Sequence, residues 1–229
     1  MCRRCTIFAK VLASYGNKQP MPCADILTVW DSARLPADAA AEEFLADALA
    51  QVDAASGGPG RLVPISVTGD GNCLAHSISR ACHGEEAWYS LLRKKVAEEL
   101  RSNEPWYLAA LPHVTAEDFE AEVVAAATLD TYMDAGTGLH LLAMSNVIGR
   151  PIVLMASRAH MEDTVRSNCG TYLPLRRPPA EVSTRIPVIV AWQTDSFVFG
   201  GAGHFVCVSP TTAGHAILPP GWLPTTVPR

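Results

Sequence analysis

The sequence lacks an excess of positive charge. Its 229 residues hold 18 lysines and arginines against 23 aspartates and glutamates, a formal net charge of −5. A general nucleic-acid binder needs a basic stripe to displace the counterions of the phosphates. The sequence also lacks any apolar run that approaches the roughly 20 residues needed to cross a bilayer. We therefore expect neither a nucleic-acid partner nor a membrane span.

The N-terminus has no long apolar segment of the kind found in secretory signals, and the seven cysteines are an odd number. Reduced thiols are the default for such a chain, so we predict a cytoplasmic location, with the nucleus as the alternative. Cys2 and Cys5 have the spacing of zinc ligands, but a closed structural site needs four ligands and only Cys23 follows nearby. We therefore predict no metal site and no cofactor.

Apolar residues are plentiful: 48% of the chain is hydrophobic and 18% is charged, enough for one sizeable domain with its own core. Helical spacing and end signals indicate helices over residues 36–55, 74–82, 86–101, 115–127 and 139–148. Short β-branched or apolar runs between breakers indicate strands over residues 152–156, 186–192 and 205–209. The predicted class is α/β, with helices around a small central β-sheet.

Residues 69–73, Gly-Asp-Gly-Asn-Cys, set a cysteine where an extended run ends and an amphipathic helix begins. The first N–H groups of a helix and the positive end of its dipole favour a thiolate, so Cys73 is the predicted nucleophile. The glycines allow a sharp turn that aims backbone amides at a developing oxyanion, and we assign that role to Gly71 and Asn72. The alternative is a small buried hydrophobe, as expected of Cys82 and Cys207.

A nucleophilic cysteine needs a base, and a glycine-rich loop delivers His204 to the first position of an apolar strand. The pKa of imidazole lies near neutrality, which suits a general base. Cysteine and histidine on separate elements indicate papain-like chemistry. Gly203, which directly precedes His204, is predicted to border the substrate cleft. Trp192 ends a predicted strand and walls the same cleft, or else belongs to the core, as such tryptophans usually do.

The segment Asp70-Gly71-Asn72-Cys73 before a helix, with Gly203-His204-Phe205-Val206 near the end, resembles the OTU (ovarian tumour) family of cysteine deubiquitinases. Residues 62–67, 143–154 and 187–192 also resemble this family. These segments are most similar to the branch that contains the valosin-containing-protein-interacting deubiquitinase. The resemblance implies a papain-like OTU fold, with Asp70, Cys73 and His204 in the active site. It implies ubiquitin or polyubiquitin as the substrate and, by analogy alone, a valosin-containing AAA ATPase as a partner.

Three segments follow from this resemblance. Residues 61–210 are predicted to be the OTU catalytic domain, after the Gly/Pro-rich break that precedes it. Residues 1–60 are predicted to be an N-terminal extension that packs on or covers this domain, and residues 211–229 a C-terminal tail. The rival hypotheses are a catalytically silent ubiquitin-binding scaffold and a thiol hydrolase acting on a ubiquitin-like modifier or a small peptide.

One position departs from the commonest pattern of the resembling family, in which an aspartate or asparagine two residues after the histidine orients its ring. That position is Val206. We expect Asp31 to supply the orienting acid from upstream, with a helix or turn cap as the equally favoured alternative. Asp38 is the weaker choice because it is expected on a solvated helix face. Asp70 is expected to organise its own turn by accepting nearby N–H groups.

Overall fold

The structure is a computed structural model that describes residues 31–56, 62–133, 136–157, 168–177, 187–194 and 203–211. Outside these residues lie residues 1–30 of the predicted extension and most of the predicted tail. Cys2, Cys5 and Cys23, the cysteines considered as zinc ligands, are therefore also outside them. The three predicted segment boundaries therefore stay predictions. In the described part of the chain, no helix is long and apolar enough to span a membrane.

The described residues form seven helices and five strands. The helices are α1 Ala39–Phe44, α2 Ala46–Ser56, α3 Cys73–His83, α4 Tyr89–Ser102, α5 Glu104–Ala110, α6 Ala116–Ala127 and α7 Leu139–Ile148. The strands are β1 Leu62–Ile65, β2 Ile152–Ala156, β3 Gly170–Tyr172, β4 Val188–Thr194 and β5 Gly203–Pro210. This arrangement confirms the predicted α/β class with a small sheet flanked by helices.

The five strands form one sheet in the order β1-β5-β4-β2-β3. β4 and β2 are parallel, and the other three neighbouring pairs are antiparallel. β5 pairs with both β1 and β4, so it lies inside the sheet, with Ile65 opposite Cys207 on one side and Gln193 opposite His204 on the other. The predicted base therefore starts a strand that is held from both edges.

Side chains alternate between the two faces of the sheet, as the two-residue period of a strand requires. On β5, Phe205 and Cys207 face the larger core, which is built with α3 to α7. Val206 and Val208 face a smaller core, built with α1 and α2. The central strands are covered on both faces, which explains why they read as continuous apolar runs.

Several sequence predictions differ in detail from the structure. The helix predicted over residues 36–55 is interrupted at Leu45, which ends α1 with a backbone outside the helical region. The short helix α5, with proline in its first turn, and the three-residue strand β3 were not predicted. Both are too short for a clear hydrophobic period. The helix predicted over residues 115–127 is present as α6, and it begins with a capping box formed by Thr115 and Asp118.

Candidate active site

Cys73 is the first residue of α3 and is only 3% exposed. Its thiol lies against three backbone N–H groups, those of Phe205, Leu74 and Cys73 itself. Burial raises the pKa of the Cys73 thiol, and these N–H groups act in the opposite direction. The helix start therefore offers donors to the sulfur, as predicted, but burial keeps the resting group a neutral thiol.

The Phe205 contact brings the two sequence motifs together, because Phe205 directly follows His204. The His204 side chain is 3% exposed. Its ring hydrogen-bonds the backbone carbonyl of Val67, which lies just beyond β1. Burial lowers the pKa of His204, while the charges of Asp38 and Glu86 and the Val67 carbonyl raise it. The resting imidazole is therefore neutral near pH 7, the form required of a general base.

Asp38 is the carboxylate that acts most strongly on His204. It is the N-cap of α1, where its side chain accepts the Ala41 N–H at 2.9 Å. Its backbone N–H donates to the Pro64 carbonyl at 2.9 Å, and Ala37 bridges to Ile65 on the free edge of β1. These bonds carry Asp38 to the end of β1 and so to the neighbourhood of His204.

Asp31, the predicted orienting acid, instead takes the role of a turn cap. It is exposed, and its carboxylate accepts the Ala33 N–H at 3.0 Å. Val206, where the commonest family pattern has an acid, packs in the smaller core beside α1. Because residues two apart on a strand share a face, the α1 side of the sheet is where a substitute acid is needed. Asp38, which the sequence analysis ranked lower, lies there.

Asp70 organises the turn before Cys73, as predicted. Its Oδ1 accepts the Asn72 N–H at 3.0 Å in an Asx-type arrangement. Both of its carboxylate oxygens also contact Nε2 of His76, at 3.2 and 3.3 Å. The pKa of Asp70 is lowered despite the opposing effect of burial, because the N–H and His76 contacts favour the carboxylate. The position of Asp70 therefore depends on α3 as well as on the turn.

The contacts of His76 are structural. It is buried, its Nδ1 lies 3.3 Å from Oε2 of Glu86, and its ring lies 4.2 Å from that of Tyr89. Glu86 also pairs with Arg80 at 2.6 Å. A chain of polar contacts thus runs from Asp70 through α3 to Glu86, shortly before α4.

The turn itself requires Gly71, whose φ is +85°. A Cβ at this position would lie 2.5 Å from the carbonyl oxygen of Asp130. The prediction for Asn72 needs correction, because its N–H is already donated to the Asp70 carboxylate. The amides that face the sulfur belong to Cys73, Leu74 and Phe205. The oxyanion donors are therefore better sought there than at Asn72.

Gly203 and Trp192 lie together on the histidine side of the site, which is formed by the end of β4 and the start of β5. A Cβ on Gly203 would lie 2.0 Å from the indole Nε1 of Trp192. The indole N–H of Trp192 donates to the Tyr132 hydroxyl at 3.1 Å, and Trp192 lies in the larger core with 8% of its surface exposed. The structure thus brings Trp192 next to the strand of the predicted base, while burying most of its surface.

Two residues that hold the site together were not predicted from the sequence. Arg93 is 1% exposed and lies on the apolar face of α4 with Leu92 and Val96. A charged residue on the core face of a helix is a readable signal, since arginine is almost never fully buried without partners. Asp130 lies 58 residues from Asn72 along the chain, and no local pattern marks it.

No group of three or more histidine, cysteine or acidic side chains that could hold a metal ion occurs among the residues that the structure describes.

Comparison with known proteins places this site in context. A family model described as "Vertnin, OTU domain" matches residues 64–118, which include the turn at Asp70 and the start of α3. The human "Deubiquitinating protein VCPIP1" is 26% identical over 174 residues, or 71% of this chain, and the mouse protein of that name is 25% identical over 173 residues. The chain spans only 14% of the length of these relatives.

Three further proteins are similar to this chain. Human "Tumor necrosis factor alpha-induced protein 3" is 26% identical over 170 residues, covering 60% of this chain and 21% of that protein. Among solved structures, the OTUD1 OTU domain covers 74% of this chain and 94% of its own, with 19% identity and a TM-score of 0.48. The viral OTU domain protease from Dera Ghazi Khan virus covers 66% and 83%, with 13% identity and a TM-score of 0.42.

Proposed function

We propose that this chain, which belongs to the OTU family of cysteine deubiquitinases, hydrolyses peptide or isopeptide bonds at the C-terminal glycine of ubiquitin. The observation that carries the proposal is the position of the Cys73 sulfur. It lies at the start of α3 and against the N–H of Phe205, the residue next to His204. The nucleophile candidate therefore contacts the neighbour of the base candidate, and both side chains are buried.

The chemistry starts from a neutral pair, because burial raises the pKa of Cys73 and lowers that of His204. As the Cys73 sulfur attacks the glycine carbonyl, His204 accepts the thiol proton. The negative charge that Asp38 places near the ring stabilises the imidazolium formed in this step. The N–H groups at the helix start and at Phe205 are the donors available to the developing oxyanion.

The intermediate then collapses. The C–N bond breaks, and the amine leaves with the proton that His204 returns to it, which forms a thioester between Cys73 and ubiquitin. His204 next removes a proton from water as the water oxygen attacks the thioester carbonyl. The C–S bond breaks, the thiol recovers the proton and the free carboxyl group of ubiquitin departs. Asp70 takes no proton in this scheme and acts by holding the turn.

Ubiquitin and polyubiquitin are proposed as substrates, with the cleft bordered by Gly203 and Trp192. A valosin-containing AAA ATPase is proposed as a partner by analogy with the family branch. A cytoplasmic or nuclear location stays a prediction.

The direct test is an activity-based probe, ubiquitin with a thiol-reactive electrophile in place of its C-terminal glycine carboxylate. We expect a covalent adduct of one ubiquitin on the unmodified chain and none on Cys73→Ala. Cys82→Ala is the matched control, since Cys82 is a buried thiol on the same helix. It should label like the unmodified chain. The adduct is read by intact mass and located by peptide mapping.

The alternatives give different results in the same experiment. If the folded chain binds ubiquitin but forms no adduct, the silent scaffold is favoured and the hydrolase proposal is wrong. An adduct with a ubiquitin-like modifier probe, and none with ubiquitin, would replace the proposed substrate. An adduct that persists in Cys73→Ala would move the nucleophile to another cysteine.

A further inference from the structure

We propose that residues 129–132, the bridging segment between α6 and α7, position the catalytic centre by fixing the Cys73 turn and the His204 strand relative to each other. This inference rests on the proposed function for its catalytic readout. It is motivated by contacts that the mechanism does not use. At one end the segment contacts the cysteine side of the site, which is the turn over residues 70–73. At the other end it contacts the histidine side.

On the cysteine side, the Asn72 side chain forms two hydrogen bonds with Asp130. Its Nδ2 donates to Asp130 Oδ1 at 2.8 Å, and its Oδ1 accepts the Asp130 N–H at 3.1 Å. Asn72 is fully buried and occupies the N-cap position of α3. A side chain of this type usually caps its own helix. Here it is committed to a segment far away in the chain, directly before the nucleophile.

Arg93 holds the same two elements with one guanidinium group. Its Nη1 donates to the carbonyl of Gly71 at 3.3 Å and to that of Thr131 at 2.9 Å. Its Nη2 donates to the carbonyls of Ala125 and Thr128 at the end of α6. The planar donor fork of arginine makes this fixed arrangement possible. The nucleophile turn and the bridging segment therefore share one buried cation.

On the histidine side, Tyr132 provides the contact. Its hydroxyl accepts the indole N–H of Trp192 at 3.1 Å. Its ring is stacked with that of Phe205, with the ring centroids 6.0 Å apart. Trp192 pairs with Phe205 across β4 and β5. Phe205 follows the base and presents its N–H to the Cys73 sulfur. A shift of Tyr132 therefore reaches both reacting groups.

The backbone of the segment suits a fixed bridge. Asp130 has a φ of +60°, a left-handed conformation that aspartate and asparagine tolerate better than most residues. Its carbonyl also fills the space that a Cβ on Gly71 would need. The side-chain contact can therefore be altered by exchanging aspartate and asparagine without forcing a new backbone conformation.

The test is a swap of the Asn72–Asp130 pair. Asn72→Asp sets two carboxylates against each other, so we expect kcat on a fluorogenic ubiquitin substrate to fall about tenfold or more, with KM changed little. Adding Asp130→Asn restores an amide opposite a carboxylate, and we expect the double variant to recover much of this loss. The carboxylate at position 72 is common to both variants, so its direct charge effect on Cys73 does not explain a recovery.

A second readout does not depend on ubiquitin. The pH dependence of Cys73 alkylation by iodoacetamide, followed by peptide mass, reports how well the backbone amides support the thiolate. We expect the alkylation curve of Asn72→Asp to move to higher pH and that of the double variant to move back. Val124→Ala, an exposed position on α6, is the control. All measurements are made well below the midpoint of thermal unfolding of each variant.

The outcomes separate this inference from the proposed function. If the double variant is no better than Asn72→Asp in both kcat and alkylation, the positioning role is wrong. If Asn72→Asp lowers only the unfolding temperature, the contact is merely structural and the inference also fails. An unmodified chain that is alkylated at Cys73 but cleaves no ubiquitin substrate overturns the proposed function, while the alkylation curves still decide the positioning role.

Discussion

The two sides of the site are held in different ways. On the cysteine side, the turn is fixed by polar groups: Asp70 binds the Asn72 N–H, and Arg93 binds the Gly71 carbonyl. On the histidine side, strand pairing and apolar packing dominate, with Trp192 against Gly203 and Phe205 in the larger core.

This difference determines how each side should respond to change. A buried polar group that loses its partner keeps its full desolvation penalty, so polar contacts fail abruptly. Apolar packing loses free energy in proportion to the volume removed or inserted, so it fails by degrees. The cysteine side should therefore tolerate fewer substitutions than the histidine side.

The largest effect is expected from Arg93→Met. This change removes the Arg93 hydrogen bonds from four carbonyl groups in a site where Arg93 is 1% exposed. We expect a loss of about 3 kcal/mol or more in the free energy of unfolding, measured by urea denaturation. Lys94→Met is the matched control on the same helix, since the Lys94 side chain is 64% exposed. Similar urea midpoints for both variants would contradict a polar hold on the cysteine side.

Gly71→Ala should come next. The new Cβ meets the backbone oxygen of Asp130 at 2.5 Å, and alanine is strained at a φ of +85°. We expect a loss of about 2–4 kcal/mol in unfolding free energy, together with a fall in the labelling rate of Cys73 by the ubiquitin probe. A backbone obstacle cannot rotate away, so no second substitution in a neighbouring side chain should restore the rate. Full activity in this variant would show that the turn can rearrange.

Gly203→Ala tests the histidine side in the same way. Here the Cβ meets the Trp192 indole at 2.0 Å, which is a side chain and not backbone. We expect a cost of about 1–3 kcal/mol, typical of overpacking, and a loss of kcat. Trp192→Phe removes the indole nitrogen that the new Cβ meets, so the double variant should regain part of the activity lost in Gly203→Ala, but not all of it, because the hydrogen bond to Tyr132 is lost as well. If it does not, the histidine side is as rigid as the cysteine side and the comparison fails.

The same contrast explains what the sequence could predict. The resemblance to the OTU family, the α/β class and most of the central strands and helices follow from local patterns, such as the turn before Cys73 and the apolar run of β5. The Asx-type role of Asp70 was also predicted, because its partner is two residues away. The commitment of the Asn72 side chain to Asp130 was not, since that contact spans 58 residues and depends on how α6 ends.

The sequence could not decide between Asp31 and Asp38 as the acid near His204, for a related reason. Asp31 and Asp38 both precede apparent helix starts, and a cap pattern cannot distinguish them. The deciding contacts are the bonds of Asp38 and Ala37 to the edge of β1, which form only when the sheet is assembled. Local sequence patterns identify site residues that lie together in one segment. They do not identify a residue such as Asp38, whose position depends on contacts between its segment and a strand of the sheet.

The smallest effect, and the sharpest test of the histidine side, is expected from Asp38→Asn. Asparagine is as good an N-cap as aspartate, so α1 should keep its start and stability should change little. The carboxylate of Asp38 raises the pKa of His204, and its removal lowers that pKa. Since His204 must be neutral to accept the thiol proton, activity is lost as pH falls through this pKa. The acid limb of kcat/KM should therefore move to lower pH, while the plateau falls about tenfold because the imidazolium is less stabilised. Asp31→Asn should leave both unchanged, since its carboxylate contacts the Ala33 N–H. A shifted limb in Asp31→Asn, with none in Asp38→Asn, would return the role of orienting acid to Asp31.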